Sequence, residues 1–135
     1  MKLENIKRIY LSGPISGIAD NNFPEFNRIC KVLRNHGYYV YNPAEDHEGP
    51  MSWKYYMQKD IRIMLNLSLD AIIVMPGWND SPGVDVELFT ATKLLKIPAY
   101  EYVDLLRIDV NDPTYPEFDL HKIKHITWNR EVINE

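Results

Sequence analysis

The chain has 135 residues, enough for one domain with its own core and too few for two ordinary domains. An apolar share of 45% and a charged share of 25% exclude the disordered and fibrous classes. A net charge of −4, with acids and bases interspersed, argues against a basic groove for a nucleic-acid polymer and leaves small phosphorylated ligands open.

Met1 to Lys7 is charged but lacks an apolar stretch of signal-peptide length behind it. No run approaches the roughly 20 apolar residues of a membrane span, so a cytoplasmic protein without a membrane partner is expected. Arg8-Ile-Tyr-Leu-Ser12 is a short β-like run that stops at the breaker Gly13-Pro14. From Phe23 to His36, Phe23, Phe26, Cys30 and Leu33 recur at helical spacing; Asn22 and Pro24 suit the first turn and Gly37 the end. Cys30 is the lone cysteine, which rules out an internal disulfide and fits a reducing compartment and a packed thiol.

Tyr38-Tyr-Val-Tyr41 is again β-like and closes at Asn42-Pro43. A polar loop to Pro50 precedes a second helical stretch from Ser52 to about Ser68. Asp70-Ala-Ile-Ile-Val-Met75 reads as a strand buried on both faces and ends at Pro76-Gly77. A third helical stretch runs from about Pro82 to Lys96, and Pro98 to Val103 forms a fourth strand. This β-α-β-α-β-α-β order predicts an α/β fold, with a parallel sheet and helices on both faces. One domain over 1–135 is expected, with its core in residues 6–103 and a tail in residues 104–135. In that tail Asp112 to Pro116 is a turn, and Glu117 to Glu135 holds a short helix or strand.

In open parallel sheets ligands bind beyond the carboxyl ends of the strands. That edge collects Ser12, Gly13 and Pro14 from the first loop, Asn42 from the second, and Trp78, Asp80, Ser81, Gly83 and Asp85 from the third; all are substrate-binding candidates. The loops feed helices, whose free N–H groups can face an anion. Neither GxGxxG nor a P-loop is present, and Ser12 to Gly17 is equally accounted for as a tight turn.

Asp60 is the most informative position. Projected at about 100° per residue, Trp53, Tyr56, Met57, Ile63, Met64 and Leu67 fall on one face, and Asp60 lands inside that apolar arc. A carboxylate there needs partners or an opening to a ligand; a structural carboxylate bonded to an amide or a tyrosine is the plainer account. Ser81 is a natural N-cap with Pro82 behind it, and Asp85 and Glu87 lie in the first two turns, where the helix dipole favours the ionised form. An ionised carboxylate beside a cavity suits attack on a sugar carbon, although acids near helix starts are also ordinary helix design. Tyr10, at the end of the first strand, is placed to orient a carboxylate or to pack. Glu45, Asp46, His47 and Glu48 read as a solvated loop rather than metal ligands, and His121 and His125 as surface residues. Neither a metal nor an organic cofactor is expected.

Tyr10-Leu-Ser-Gly-Pro-Ile-Ser-Gly17, Asn42-Pro43, Trp53 to Asp60, Asp70-Ala-Ile-Ile-Val and Gly77 to Glu87 together resemble the nucleoside 2-deoxyribosyltransferase superfamily, in particular its small phage and bacterial, DUF4406-like branch. The resemblance spans roughly residues 6–102. It implies a flavodoxin-like, Rossmann-like fold and cleavage of the bond between deoxyribose and base, the sugar passing to another base or to water. It further implies Glu87 as nucleophile, Asp60 and Tyr10 as its catalytic companions, Ser81 at the 5′ group, and Gly13 and Gly83 as loop glycines. Pro14 and Ser16 stand where nucleotide-accepting hydrolases usually carry serine and arginine, which leaves the need for a 5′-phosphate open. Asp85 is a charge where the family often has a small residue. The implied partner is a small-molecule nucleoside or nucleotide, in a homodimer or higher homo-oligomer. The competing expectation is a non-catalytic nucleoside- or nucleotide-binding module, a sensor or phage–host interaction protein.

Overall fold

A computed structural model of the chain describes residues 5–102 and 123–127. Strands β1 (Arg8–Ser12), β2 (Tyr39–Tyr41), β3 (Ala71–Val74), β4 (Ala99–Tyr102) and β5 (Ile123–Ile126) form one sheet in the order β2-β1-β3-β4-β5. The first four pair in parallel and β5 joins antiparallel, with Ala99 opposite Ile126. Helices α1 (Phe23–Asn35), α2 (Trp53–Asn66) and α3 (Pro82–Phe89) connect the parallel strands. The fold is thus α/β, of the flavodoxin and Rossmann-like kind. Of the tail, β5 is the described part; His121 and the turn at Asp112 to Pro116 lie outside the described residues. His125 is exposed, with its ring edge-on to Tyr100 at 5.5 Å. Among the described residues no helix is long and apolar enough to cross a membrane.

Strand side chains alternate between faces, and this sorts the core into two layers. Ile9 and Leu11 of β1, with Ile73 and Met75, pack against Phe26, Ile29, Cys30 and Leu33 of α1. Tyr10, Ile72 and Val74 point the other way, against Met64 of α2 and Val84 and Leu88 of α3. Ser12, two residues beyond Tyr10, shares the α2–α3 face. The sheet begins at a pin: Asp70 Oδ2 accepts from the Lys7 and Arg8 amides at 2.9 Å each, aligning β3 with β1.

Ser81 caps α3 as expected, its Oγ accepting from Val84 N at 3.3 Å, and Ser52, read from the sequence as the start of the second helix, caps α2, its Oγ accepting from Tyr55 N at 3.1 Å. Asn22 differs. It sits in left-handed backbone and makes no cap; instead its Nδ2 donates to Pro14 O at 2.9 Å, tying the first loop to α1. The third helix also departs from a single run to Lys96, because Thr90 to Leu94 widens into a π turn closed by Leu95 N to Thr90 O at 2.9 Å. The Thr90 and Thr92 hydroxyls donate to the carbonyls of Val86 and Leu88, and this back-bonding competes with the regular ladder.

Candidate active site

Beyond the carboxyl ends of β1 and β3, a cavity of about 910 Å³ opens between the first loop, the loop after β2, α2 and the start of α3. Its size suits a small-molecule ligand. Glu87 and Asp60 both line it, 5% and 9% exposed respectively.

The alternation of β1 supplies the two groups that hold Glu87. Tyr10 and Ser12, both fully buried, stand behind the carboxylate: the Tyr10 hydroxyl donates to Oε2, and Ser12 Oγ donates to Oε1 at 2.9 Å. Tyr10 is itself fixed by stacking on Tyr41, with ring centroids 5.3 Å apart. Asp60 lies close enough to the Tyr10 phenol and to Glu87 to interact with both, so residues 10, 60 and 87 meet at one wall. Ser12, expected to contact substrate, instead partners Glu87.

Both carboxyl groups are pushed above their ordinary range. Burial is the largest cause for each; the charge of Asp60 adds to it for Glu87, and the two hydroxyl donors pull Glu87 back down. At Asp60 the nearby Lys59 ammonium and the Tyr10 hydroxyl oppose burial, while Asp46 reinforces it. The expected ionisation of Glu87 by the helix dipole is therefore overridden. Glu87 lies past the first turn, where the dipole fades, and desolvation wins. Two buried acids that repel each other hold a proton between them into the neutral range. Burial and the Glu87 charge likewise keep the Tyr10 phenol protonated, a permanent donor.

Gly13 lets the first loop pass over β3, since a Cβ there would stand 3.0 Å from Met75 Sδ. Gly13, Asp80, Ser81 and Gly83 line the cavity as expected. Pro14, Asn42, Trp78 and Asp85 do not. Asn42 is buried and spends its amide within the protein, accepting from Ala44 N and donating to Asn27 Oδ1, both at 3.0 Å. Pro14 packs toward Gly77, Trp78 packs against the layer that holds Tyr10, and Asp85 is two helical positions from Glu87, about 200° around the axis.

The sequence also understated several positions. Trp53 belongs to the apolar arc yet is exposed at the cavity lip. The loop at Glu45 to Glu48 is exposed as expected, but Asp46 and His47 line the cavity mouth. Its acids are paired with cations: Arg34 forks onto Glu45 at 2.6 and 2.7 Å, and Lys59 meets Asp46 at 3.3 Å and Glu48 at 3.5 Å.

Fold and site together define a mostly parallel α/β domain with a buried pair of carboxyl groups at its strand ends, one of them held by two hydroxyls. The family described as Domain of unknown function (DUF4406) matches residues 7–99, and the chain belongs to it. The matched stretch contains every residue of the cluster. No curated protein matches the chain.

Proposed function

We propose that the protein cleaves the N-glycosidic bond of deoxynucleosides or deoxynucleoside 5′-monophosphates, by hydrolysis or base exchange, with Glu87 as nucleophile. The observation that carries this reading is the Glu87 carboxylate at a cavity wall, with both oxygens oriented by the Tyr10 and Ser12 hydroxyls and Asp60 beside it. Attack needs Glu87 as the anion: its two hydroxyl donors favour that form against the burial that raises its carboxyl, and in this reading the proton that the pair retains is carried by Asp60. Glu87 then attacks C1′ as the C1′–N bond breaks, and the bonding electrons leave on the base. Asp60 gives that base its proton. The glycosyl ester on Glu87 is discharged by a second base or by water. A resemblance of the Tyr10 to Gly17, Trp53 to Asp60 and Gly77 to Glu87 motifs to nucleoside 2-deoxyribosyltransferases supports the same chemistry. The reading carries with it a cytoplasmic location and a homo-oligomeric assembly.

The test is a panel of deoxynucleosides and their 5′-monophosphates, with and without a second free base, followed by chromatography. Wild type should release base, and Glu87→Gln should lose at least about 10³-fold while remaining folded. Undiminished release by the variant removes Glu87 from the mechanism. A second reading, a binding module without turnover, is favoured by the near-complete enclosure of Glu87. It predicts that ligands raise the melting temperature of wild type and Glu87→Gln alike, without any base release.

A further inference from the structure

His47 has no role in the chemistry above, yet it is the best-braced exposed side chain at the cavity mouth. Its ring stacks on Tyr56, with centroids 4.8 Å apart and planes 10° from parallel, and meets Phe23 edge-on at 4.9 Å. The backbone on either side is tied to neighbouring elements. On one side, Lys59 Nζ donates to Asp46 O at 2.6 Å and the Tyr41 hydroxyl to Asp46 Oδ2 at 2.9 Å. On the other, Glu48 N donates to the Tyr56 hydroxyl at 3.1 Å, Tyr56 donates in turn to Gly49 O, and Tyr55 donates to Glu48. An exposed histidine ordinarily keeps its rotamer freedom. Here that freedom is already spent before any ligand arrives, which is how a recognition group is preorganised.

Nothing in the protein uses the polar edge so presented. Among the described residues neither ring nitrogen of His47 has a hydrogen-bond partner; one face is stacked on Tyr56, and the contact with Phe23 is T-shaped. The edge is the part left for a ligand. The surrounding wall is apolar and aromatic, made by Phe23, Met51, Trp53, Tyr56 and Met57. Such a wall accepts the faces of a planar heterocycle, while a group with both donor and acceptor capacity meets its rim. An anion fits this end poorly. Asp46 flanks His47, and among the described residues the lining holds carboxylates but neither lysine nor arginine.

We propose that His47 is a specificity-determining residue that hydrogen-bonds the edge of the nucleobase and ranks one base above another. This rests on the N-glycosidic reading of the same cavity. The alternative is a purely structural plug that holds the loop to α2 through its ring.

Replacement by phenylalanine separates the two roles, because His47→Phe keeps a flat ring between Tyr56 and Phe23 and removes both nitrogens. In the Glu87→Gln background, which prevents turnover, calorimetry with the four common deoxynucleosides gives dissociation constants with and without His47→Phe. The expected result is roughly a 3- to 10-fold loss confined to the preferred base or bases, as for one hydrogen bond, so that the four constants converge. His47→Gln or His47→Asn, which return one amide nitrogen, should restore part of the spread. Unchanged constants, or an equal loss for all four, overturn the proposal in favour of the plug. If wild type and Glu87→Gln bind no deoxynucleoside at all, the proposed function itself fails. If they bind and His47→Phe changes no ratio, only the role of His47 does. Should His47→Phe fold poorly, the His47→Gln and His47→Asn ratios decide by the same criterion.

Discussion

Changing Asp60 to asparagine is expected to stabilise the protein while disabling it, by an amount that depends on pH in a defined direction. Asp60 is 9% exposed, and its carboxyl is raised from 3.8 to about 6, chiefly by burial. Below about pH 3 the carboxyl is largely protonated whether the chain is folded or not, so burial costs little. As pH rises, the unfolded chain loses this proton first. The folded state then binds more protons than the unfolded one, and stability falls with pH. The fall is complete once the pH passes the folded value. The interval between 3.8 and about 6 corresponds to about 3 kcal/mol, at 1.36 kcal/mol for each tenfold change.

Asparagine has no proton to lose and keeps the shape of the carboxyl. Asp60→Asn should therefore match wild type only below about pH 3 and exceed it by about 1–3 kcal/mol at pH 8, the lower figure allowing for the proton shared with Glu87. In a chain of this length each kcal/mol moves the midpoint by roughly 3–5 °C. Urea unfolding at about pH 3, 6 and 8 gives the two stability curves, and base release assayed at neutral pH should fall about 10²- to 10⁴-fold, the usual worth of a general acid. A stability difference that stays flat with pH, or a variant weaker than wild type at pH 8, would refute the claim that Asp60 is held protonated by burial.

Two further substitutions probe the same wall. Tyr10→Phe removes one of the two donors that favour the Glu87 anion, so the Glu87 carboxyl should rise further and the acidic limb of the pH–rate profile should move up. The expected loss near neutral pH is about 10-fold or more, the worth of a hydrogen bond to a charged group, with partial recovery as pH increases; Ser12→Ala should act in the same direction, and an unmoved limb in both counts against the assignment. Gly13→Ala places a Cβ 3.0 Å from Met75 Sδ and 3.1 Å from Met75 Cβ, which should cost about 1–3 kcal/mol in thermal unfolding. Met75→Ala should relieve part of that cost, and strictly additive losses in the double variant would show that the clash is not the cause.

Much of this architecture could be read from local pattern, because the pattern and the packing obey the same periods. Period-two alternation in Arg8 to Ser12 places Tyr10 and Ser12 on one face, and the helical projection of Trp53 to Leu67 finds Asp60 among apolar neighbours. Ser52 and Ser81 announce their helices because capping is a contact between residues close in sequence. Other features depend on contacts that sequence spacing does not encode. Proximity to a strand end does not say where a side chain points, and so Asn42 turns inward to Asn27 while Asp85 shares a helix with Glu87 but not its direction. The clamp on His47 joins residues from α1, the loop after β2 and α2. Only the aromatic run Tyr55-Tyr56, at the helix start facing that loop, hinted at it. The π turn likewise depends on which carbonyls the Thr90 and Thr92 hydroxyls reach.

The strain in this fold is concentrated where the chemistry would be. Around the pair the usual rules agree: apolar strand faces are covered, α2 and α3 start at serine caps, and the exposed acids of the second loop are neutralised by Arg34 and Lys59. At Asp60 and Glu87 they conflict, since two buried acids repel each other and both resist ionisation. A purely structural solution would have put an amide or an apolar side chain at one of these positions. The compensation that is present is also lopsided. Two hydroxyls are spent on Glu87, whereas among the described residues no hydroxyl is committed to Asp60 in this way, and Asp60 opens onto the cavity. On the proposed reading that asymmetry favours Glu87 as the anion, against the burial that raises its carboxyl, and leaves Asp60 to give the proton, a difference between like groups on which acid and nucleophile roles are ordinarily divided.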